Sequence, residues 1–255
     1  MKKKQIIYLA LFFLISINFG CNRIINEYKD YKWQKINSDI SLLKYEDLVL
    51  FKTSLRDYRV SVVVNQENIL AGYSADDLIK DKTYELVINA NFFDKYNKPL
   101  GLIIKDGQEF NKIHKGGEVL TGIFAFENKK LKINDRKNKV SFANAIQAGP
   151  RLLINHSKVS LTNGEKEAPR TGICIDSHNN LIIFSTLESK EISLNRLQSI
   201  LASKLINCRN AMNLDGGQSS QLSAKIKTTN DDYFIYSNNN PLKVPVLLGL
   251  VKSKS

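Results

Sequence analysis

From residue 48 onward the chain alternates short apolar runs with clusters of Asn, Asp and Gly, the pattern of a strand-rich fold. The runs are LVLFKTSL (48–55), YRVSVVVN (58–65), ELVINANFF (85–93), LGLIIKDG (100–107), TGIFAFENKKLKIN (121–134), AIQAGPRLLINHSKVS (145–160), TGICIDSHNNLIIFSTL (171–187), AMNLDGG (211–217) and KVPVLLGLVK (243–252). Three of them are broken by the turn formers ENKK, INHSK and DSHNN, so hairpins are expected there. Helical spacing is confined to Ser74–Lys80 and Ser193–Leu205; in the second, Leu194, Leu197, Ile200, Leu201 and Leu205 share one face behind Ser193 as N-cap. There is no internal repeat and no Pro-rich linker. The predicted class is α+β, a strand-rich mixed sheet with few helices, forming a single domain over 41–255.

The N-terminus follows a different pattern. Lys2, Lys3 and Lys4 precede an apolar run from Ile6 to Phe19, then Gly20 and Cys21. This reads as a secretory leader over 1–20, too short to remain as a comfortable membrane span. A Cys directly after a small residue resembles a bacterial lipoprotein cleavage site, which makes Cys21 the lipidated first residue of an exported, membrane-anchored protein. Asn22 lacks the acid that often retains such proteins at an inner membrane, so the outer membrane is favoured. Residues 21–40 are polar and suit a tether.

With 255 residues, 43% of them hydrophobic and 24% charged, the chain can build a sizeable core, which excludes disorder, collagen and a disulfide-stapled miniprotein. The formal net charge is +12; without the three leader lysines it is roughly +9. Lysines scattered among Asn and Asp suit a solvated surface, and also one that favours anionic glycans or phospholipid headgroups. A leader and the lack of a recognition helix argue against nucleic acid. A monomer is expected. His114, His156 and His178 are scattered and read as solvated turn residues. Besides Cys21 there remain Cys174 and Cys208, open to a disulfide but in apolar sequence more often buried thiols.

Chemistry concentrates around Asn210-Ala-Met-Asn213-Leu-Asp215-Gly216-Gly217-Gln-Ser219-Ser220, where a strand runs into an acid, two glycines and hydroxyl side chains. Glycines permit close approach of a ligand and a convergence of N–H groups on an anion; a plain Asp-Gly turn is the alternative. Three further segments end strands with polar groups: Asn89-Ala90-Asn91-Phe92-Phe93-Asp94, Ile146-Gln-Ala-Gly-Pro-Arg151, and Ala168-Pro-Arg170-Thr171-Gly172. Arg170 presents a fork suited to phosphate or carboxylate, and Arg151 adds a second Arg.

Taken in order, NANFFD with GLIIKDGQ, IQAGPRLLINHSKV, APRTGICID with LIIF, and CRNAMNLDGGQSSQL resemble the phosphodiester glycosidase family, which includes the lysosomal uncovering enzyme and many bacterial proteins. The likeness runs from about Val87 to Val251. It implies a hydrolase that releases a sugar, N-acetylglucosamine being one candidate, from a sugar 1-phosphodiester in an envelope or scavenged glycan. The resemblance implies Asp215, Glu188 and Arg170 as catalytic residues, with Asp94 competing for the second acid. Asn89, Asp94, Thr171, Asn213, Gly216, Gly217 and Ser219 would bind substrate. No cofactor is required, although clustered Asp and Asn oxygens suit a divalent cation such as calcium. Relatives commonly carry Gly where this chain has Asn91, which would reshape the sugar pocket, and an Arg where it has Lys243. The alternative is a non-catalytic polysaccharide-binding envelope lipoprotein serving exopolysaccharide export or assembly. Two carboxylates converging within about 5–10 Å would mark the enzyme.

Overall fold

The computed structural model describes residues 30–139 and 141–253. The leader and the lipidation site Cys21 lie outside them. Residues from Tyr31 onward form one compact unit, and no described helix is long and apolar enough to cross a membrane.

Three antiparallel sheets carry the fold. The first has eight strands in the spatial order Gln34–Lys35, Ile40–Tyr45, Leu48–Thr53, Leu181–Thr186, Thr171–Asp176, Cys208–Asn213, Arg151–Ile154 and Ser157–Lys158. The second orders Gln108–Asn111, Ile103–Lys105, Asn144–Ala148, Gly122–Glu127 and Lys130–Asp135. The third orders Tyr233–Ser237, Leu222–Lys227, Leu86–Asn89, Val246–Lys252 and Tyr58–Val64. A two-stranded ribbon pairs Glu167–Ala168 with Ile192–Ser193. The strand-rich, helix-poor α+β class is as expected, but every strand pairing among the described residues is antiparallel, which corrects the expectation of a mixed sheet. The reason is local. Tight turns join many neighbouring strands and reverse their direction, whereas parallel pairing needs long crossovers.

The expected hairpin turns form where Asn accepts the left-handed backbone region: Asn128 (φ 54°), Asn155 and His156 (46° and 69°) and Asn179 (63°). The near-continuous apolar runs of the first sheet are explained by burial on both faces. Val49, Phe51, Ile173, Ile175 and Ile183 face a central core that also holds Leu86, Ile88, Leu222 and Leu248 of the third sheet. The alternate residues Leu48, Leu50, Cys174, Ile182 and Phe184 face the opposite way, onto the helix Leu194–Leu201.

Helix α1 is Ala75–Lys80, capped by the Ser74 hydroxyl accepting from the Asp77 N–H. It covers the outer face of the third sheet through Ala75, Leu78 and Ile79. Helix α2 is Leu194–Leu201, capped by Ser193 as predicted. It stops at Leu201 instead of Leu205, where the Ser203 N–H donates to the Ile200 carbonyl at 3.0 Å and tightens the last turn; Leu205 still packs on the same cluster. The first and third sheets thus carry a helix on their outer faces, and the second sheet adds Ile103, Phe124, Phe126 and Ile146 to the central core.

Two further expectations are corrected. The tether does not extend to residue 40, because Tyr31 and Trp33 pack on the core beneath α2 and the Trp33 indole N–H donates to the Leu205 carbonyl at 3.0 Å. Ile36 and Ile40 are buried in the central core, so the fold begins near Tyr31. Cys174 and Cys208 are not free thiols but a disulfide, with Cα atoms 5.8 Å apart. They sit on neighbouring strands, on the face toward α2, where Asp176 is registered with Cys208.

Candidate active site

Strand Cys208–Asn213 carries the chain out of the first sheet, and Leu222–Lys227 continues it in the third. Asp215 lies in the link between them and is fixed from both sides. Its N–H donates to the Ala90 carbonyl (3.0 Å), while the preceding Leu214 N–H donates to Thr171 (2.9 Å). Its own carbonyl accepts from Asn89 Nδ2 at 2.6 Å and from Thr171 Oγ1 at 2.9 Å. Asn89 also accepts from the Gln221 N–H at 3.1 Å, which ties the far end of the loop to the same side chain.

Asp215 is 9% exposed and opens on a cavity of about 620 Å³. Burial pushes its carboxyl up to about 6, opposed by hydrogen bonds from Ser219 and from the Gly216 backbone. A carboxyl tuned toward neutrality in a cavity has the character of an acid–base or nucleophilic group.

The same cavity is lined by Arg170, Arg151, Arg136 and Lys166, against the acids Asp215 and Glu118. Its field therefore favours an anionic ligand. Arg170 is held by the carbonyls of Ile192 (3.3 Å) and Lys166 (2.7 Å), through Nε and Nη2. Its Nη1 lies beside Gly216, so near that a Cβ there would stand 3.6 Å away. Partial burial pulls Arg170 below the ordinary arginine range, against the neighbouring charge of Glu191; its charge at neutral pH is not in question. Arg151 pairs with Asp135 through Nη2, leaving Nε buried without a protein partner among the described residues. Arg136 Nη1 donates to the carbonyls of Gly116 (2.5 Å) and Gly117 (2.6 Å), stapling the loop that carries Glu118. Opposite that loop, Gly149 stands at φ +147°, and a Cβ on it would overlap the Val119 carbonyl. Phe92, Val159, Leu161 and Leu194 supply apolar wall, the usual complement to a few convergent polar groups.

Of the predicted site residues, Asp215, Arg170, Asn213 and Gly216 line this cavity. Asn213 donates to the Gly149 carbonyl at 3.2 Å and keeps Oδ1 buried without a protein partner among the described residues. Five expected binders, Asn89, Asp94, Thr171, Gly217 and Ser219, do not line it. Asn89 and Thr171 hold the Asp215 backbone, and Ser219 holds its carboxylate. Gly217 is also outside: its N–H is spent on the Pro169 carbonyl at 2.8 Å, so no two-glycine anion nest forms.

Neither expected second acid reaches the cavity. Glu188 lines a separate depression of about 270 Å³ and accepts from Asn239 at 3.2 Å. Its charge, after burial, helps to raise the Tyr236 hydroxyl to about 12. Asp94 closes a turn, accepting from the backbone of Tyr96 (2.8 Å) and Lys98 (3.0 Å). Asn91 is 1% exposed and braces the carbonyls of Leu100 and Leu102 instead of reshaping the pocket. Lys243 is exposed and does not line the cavity. Among the described residues no group of three His, Cys, Asp or Glu side chains is placed to hold a metal ion.

Sequence reasoning missed Arg136, hidden in the basic run DRKNK, and Glu118, which no motif marks; Arg151 was visible in Gly-Pro-Arg but was given no role. Because Asn89 satisfies two buried backbone groups, Asn89→Ala is expected to destabilise the fold by about 2–4 kcal/mol and to lower turnover through Asp215 misplacement. Denaturant melts and kinetics on one preparation check this; full activity would refute the bracing role.

A buried acid and three arginines line one cavity at a junction of antiparallel sheets, an arrangement suited to an anionic ligand. The sequence profile described as phosphodiester glycosidase matches residues 82–251, more than half of the chain, and the protein belongs to that family. The fold is similar to the catalytic domain of zebrafish N-acetylglucosamine-1-phosphodiester alpha-N-acetylglucosaminidase, with TM-score 0.61 and 16% identity over 88% of this chain and 83% of that one. It is also similar to a hypothetical protein from Synechocystis, with TM-score 0.56 and 15% identity over 88% of this chain. The match spans 61% of that protein's length. A putative exported protein from Burkholderia pseudomallei K96243 shares the fold at TM-score 0.51 and 8% identity, over 83% of this chain and 74% of that one. No protein of curated function matches the sequence. The profile match shows the family, and the structural likenesses show the fold.

Proposed function

We propose that the protein hydrolyses a sugar 1-phosphodiester, releasing the sugar from a phosphate monoester. The observation that carries this reading is the buried Asp215 carboxyl, raised to about 6 and sharing one cavity with Arg170 and Arg151; the second acid lining that cavity is Glu118, in place of the expected Glu188 or Asp94. A phosphate with a second pKa of about 6 is a good leaving group, so little protonation of the departing oxygen is needed. The demand falls instead on stabilising phosphate charge and an oxocarbenium-like carbon. Arg170 and Arg151 meet the first demand. Asp215 meets the second, and in its ionised form serves as nucleophile or as the base that takes a proton from water. The anomeric C–O bond breaks, phosphate leaves with the bridging oxygen and the bonding electrons, and a water oxygen ends on the sugar.

The protein would act as a monomer, exported and lipid-anchored through Cys21 at the cell envelope, with the outer membrane favoured. The leader sequence supports export, and a disulfide between Cys174 and Cys208 suits an oxidising compartment. N-acetylglucosamine is the sugar to try first, because the zebrafish neighbour's name specifies it.

The test is release of free sugar from an α-linked N-acetylglucosamine 1-phosphodiester in ¹⁸O-water, with and without Ca²⁺. Label in the sugar is expected. Label in phosphate would mean O–P cleavage, and glycan binding without turnover across several sugars would mean a binding protein.

A further inference from the structure

A second basic groove of about 530 Å³ lies beyond the cavity, lined by Lys132, Asn134, Asp135, Arg209 and Asn210. Arg151 lines both spaces. Its guanidinium is anchored to Asp135 by Nη2, and its Nε is buried without a protein partner among the described residues. Arg209 is partly buried and positioned by Asn179, whose Oδ1 accepts at 2.7 Å, and Lys132 is exposed on the facing strand. The groove carries the cations Lys132, Arg151 and Arg209 against Asp135 as its one acid. The two spaces share a backbone axis. Arg209, the second residue of the strand that delivers Asp215, and Asn213, its last, stand roughly 13 Å apart at about 3.3 Å per residue.

We infer that this groove is a subsite for the leaving-group side of the substrate, and that the substrate is an oligomeric or polymeric glycan carrying a further negative charge beyond the scissile phosphate. The inference rests on the reaction proposed above. With the sugar at Asp215 and the phosphate between Arg170 and Arg151, whatever is esterified to that phosphate must leave past Arg151. A neutral alkyl group has nothing to gain from Arg209 and Lys132, whereas a second phosphate does. Asn134 and Asn210 provide amides suited to an intervening sugar.

The experiment compares two N-acetylglucosamine 1-phosphodiesters, a methyl ester and one whose leaving group ends in a second phosphate, as substrates for the intact protein and for an R209Q/K132Q variant. The doubly charged substrate is expected to show about tenfold higher kcat/KM at low salt, a preference that shrinks as salt rises, since partly exposed ion pairs are individually weak. In the variant the preference should fall to near one, with an unchanged melting temperature showing that the fold is intact. Equal preference in both proteins, or no preference in the parent, overturns the subsite. If the parent cleaves neither ester, the reaction reading fails, and the groove is then judged by calorimetry with a synthetic trimer of N-acetylglucosamine joined by 1-phosphodiesters. Salt-sensitive binding that the variant loses supports the groove; equal binding overturns it.

Discussion

Replacing Asp215 by Asn is expected to cut turnover about a thousandfold or more while making the protein more stable at neutral pH. The two effects have one cause. Burial raises the Asp215 carboxyl from 3.8 to about 6, so the folded state binds this proton more tightly than the unfolded chain does. Between those two values stability falls as pH rises, and above about 6 the full penalty of an ionised, desolvated carboxylate remains. Asn carries no charge to desolvate, and its carbonyl oxygen can still accept from Ser219 and Gly216. Relief of up to about 3 kcal/mol is expected, roughly 5–10 °C in Tm for a domain of this size. Melts across pH decide the matter: the gap between variant and parent should be full at pH 7 and vanish below about pH 4. A variant that melts lower at every pH would show a structural role instead. The parent's kcat/KM should rise with pH through about 6, as the carboxylate ionises.

Loss of the Cys174–Cys208 bond is expected to destabilise the fold by about 4 kcal/mol, the loop-closure value for a separation of 34 residues. Both side chains are fully buried against α2. A Cys174→Ala/Cys208→Ala double variant introduces no unpaired polar group, so the loss of the crosslink dominates its effect. The bond joins strand Thr171–Asp176 to the strand that leads into Asp215. Thr171 itself donates to the Asp215 carbonyl. Activity should therefore fail at a lower temperature in the double variant, with a drop of roughly 10 °C in Tm. Unchanged melts, with and without reductant, would show that the pair contributes little.

Much of the architecture was legible because it is written in local terms. Asn at 128, 155 and 179 allowed the left-handed turns, Ser74 and Ser193 capped the two helices, and the unbroken apolar runs at 48–51 and 181–184 required burial on both faces. The segment around Asp215 was also legible, since an acid, two glycines and hydroxyls after an apolar strand form an unusual string. What the string could not reveal was direction. Asn89, Thr171 and Ser219 looked like ligands for a substrate, yet their polar atoms turn inward to hold Asp215. Glu188 and Asp215 both sit near strand ends, but the Gly216–Gly217 turn separates their openings. Arg136 reaches the cavity only because the second sheet folds against the first, while Arg151 arrives on the strand paired with Cys208–Asn213, a distant part of the chain.

The sequence by itself determined the strands, turns, caps and membership in a family, because backbone preference and side-chain periodicity act over a few residues. Tertiary structure alone decided which charges share a cavity, which polar groups stay free, and how far Asp215 is removed from water. Those are properties of burial and distance, and both arise only when the sheets close on one another.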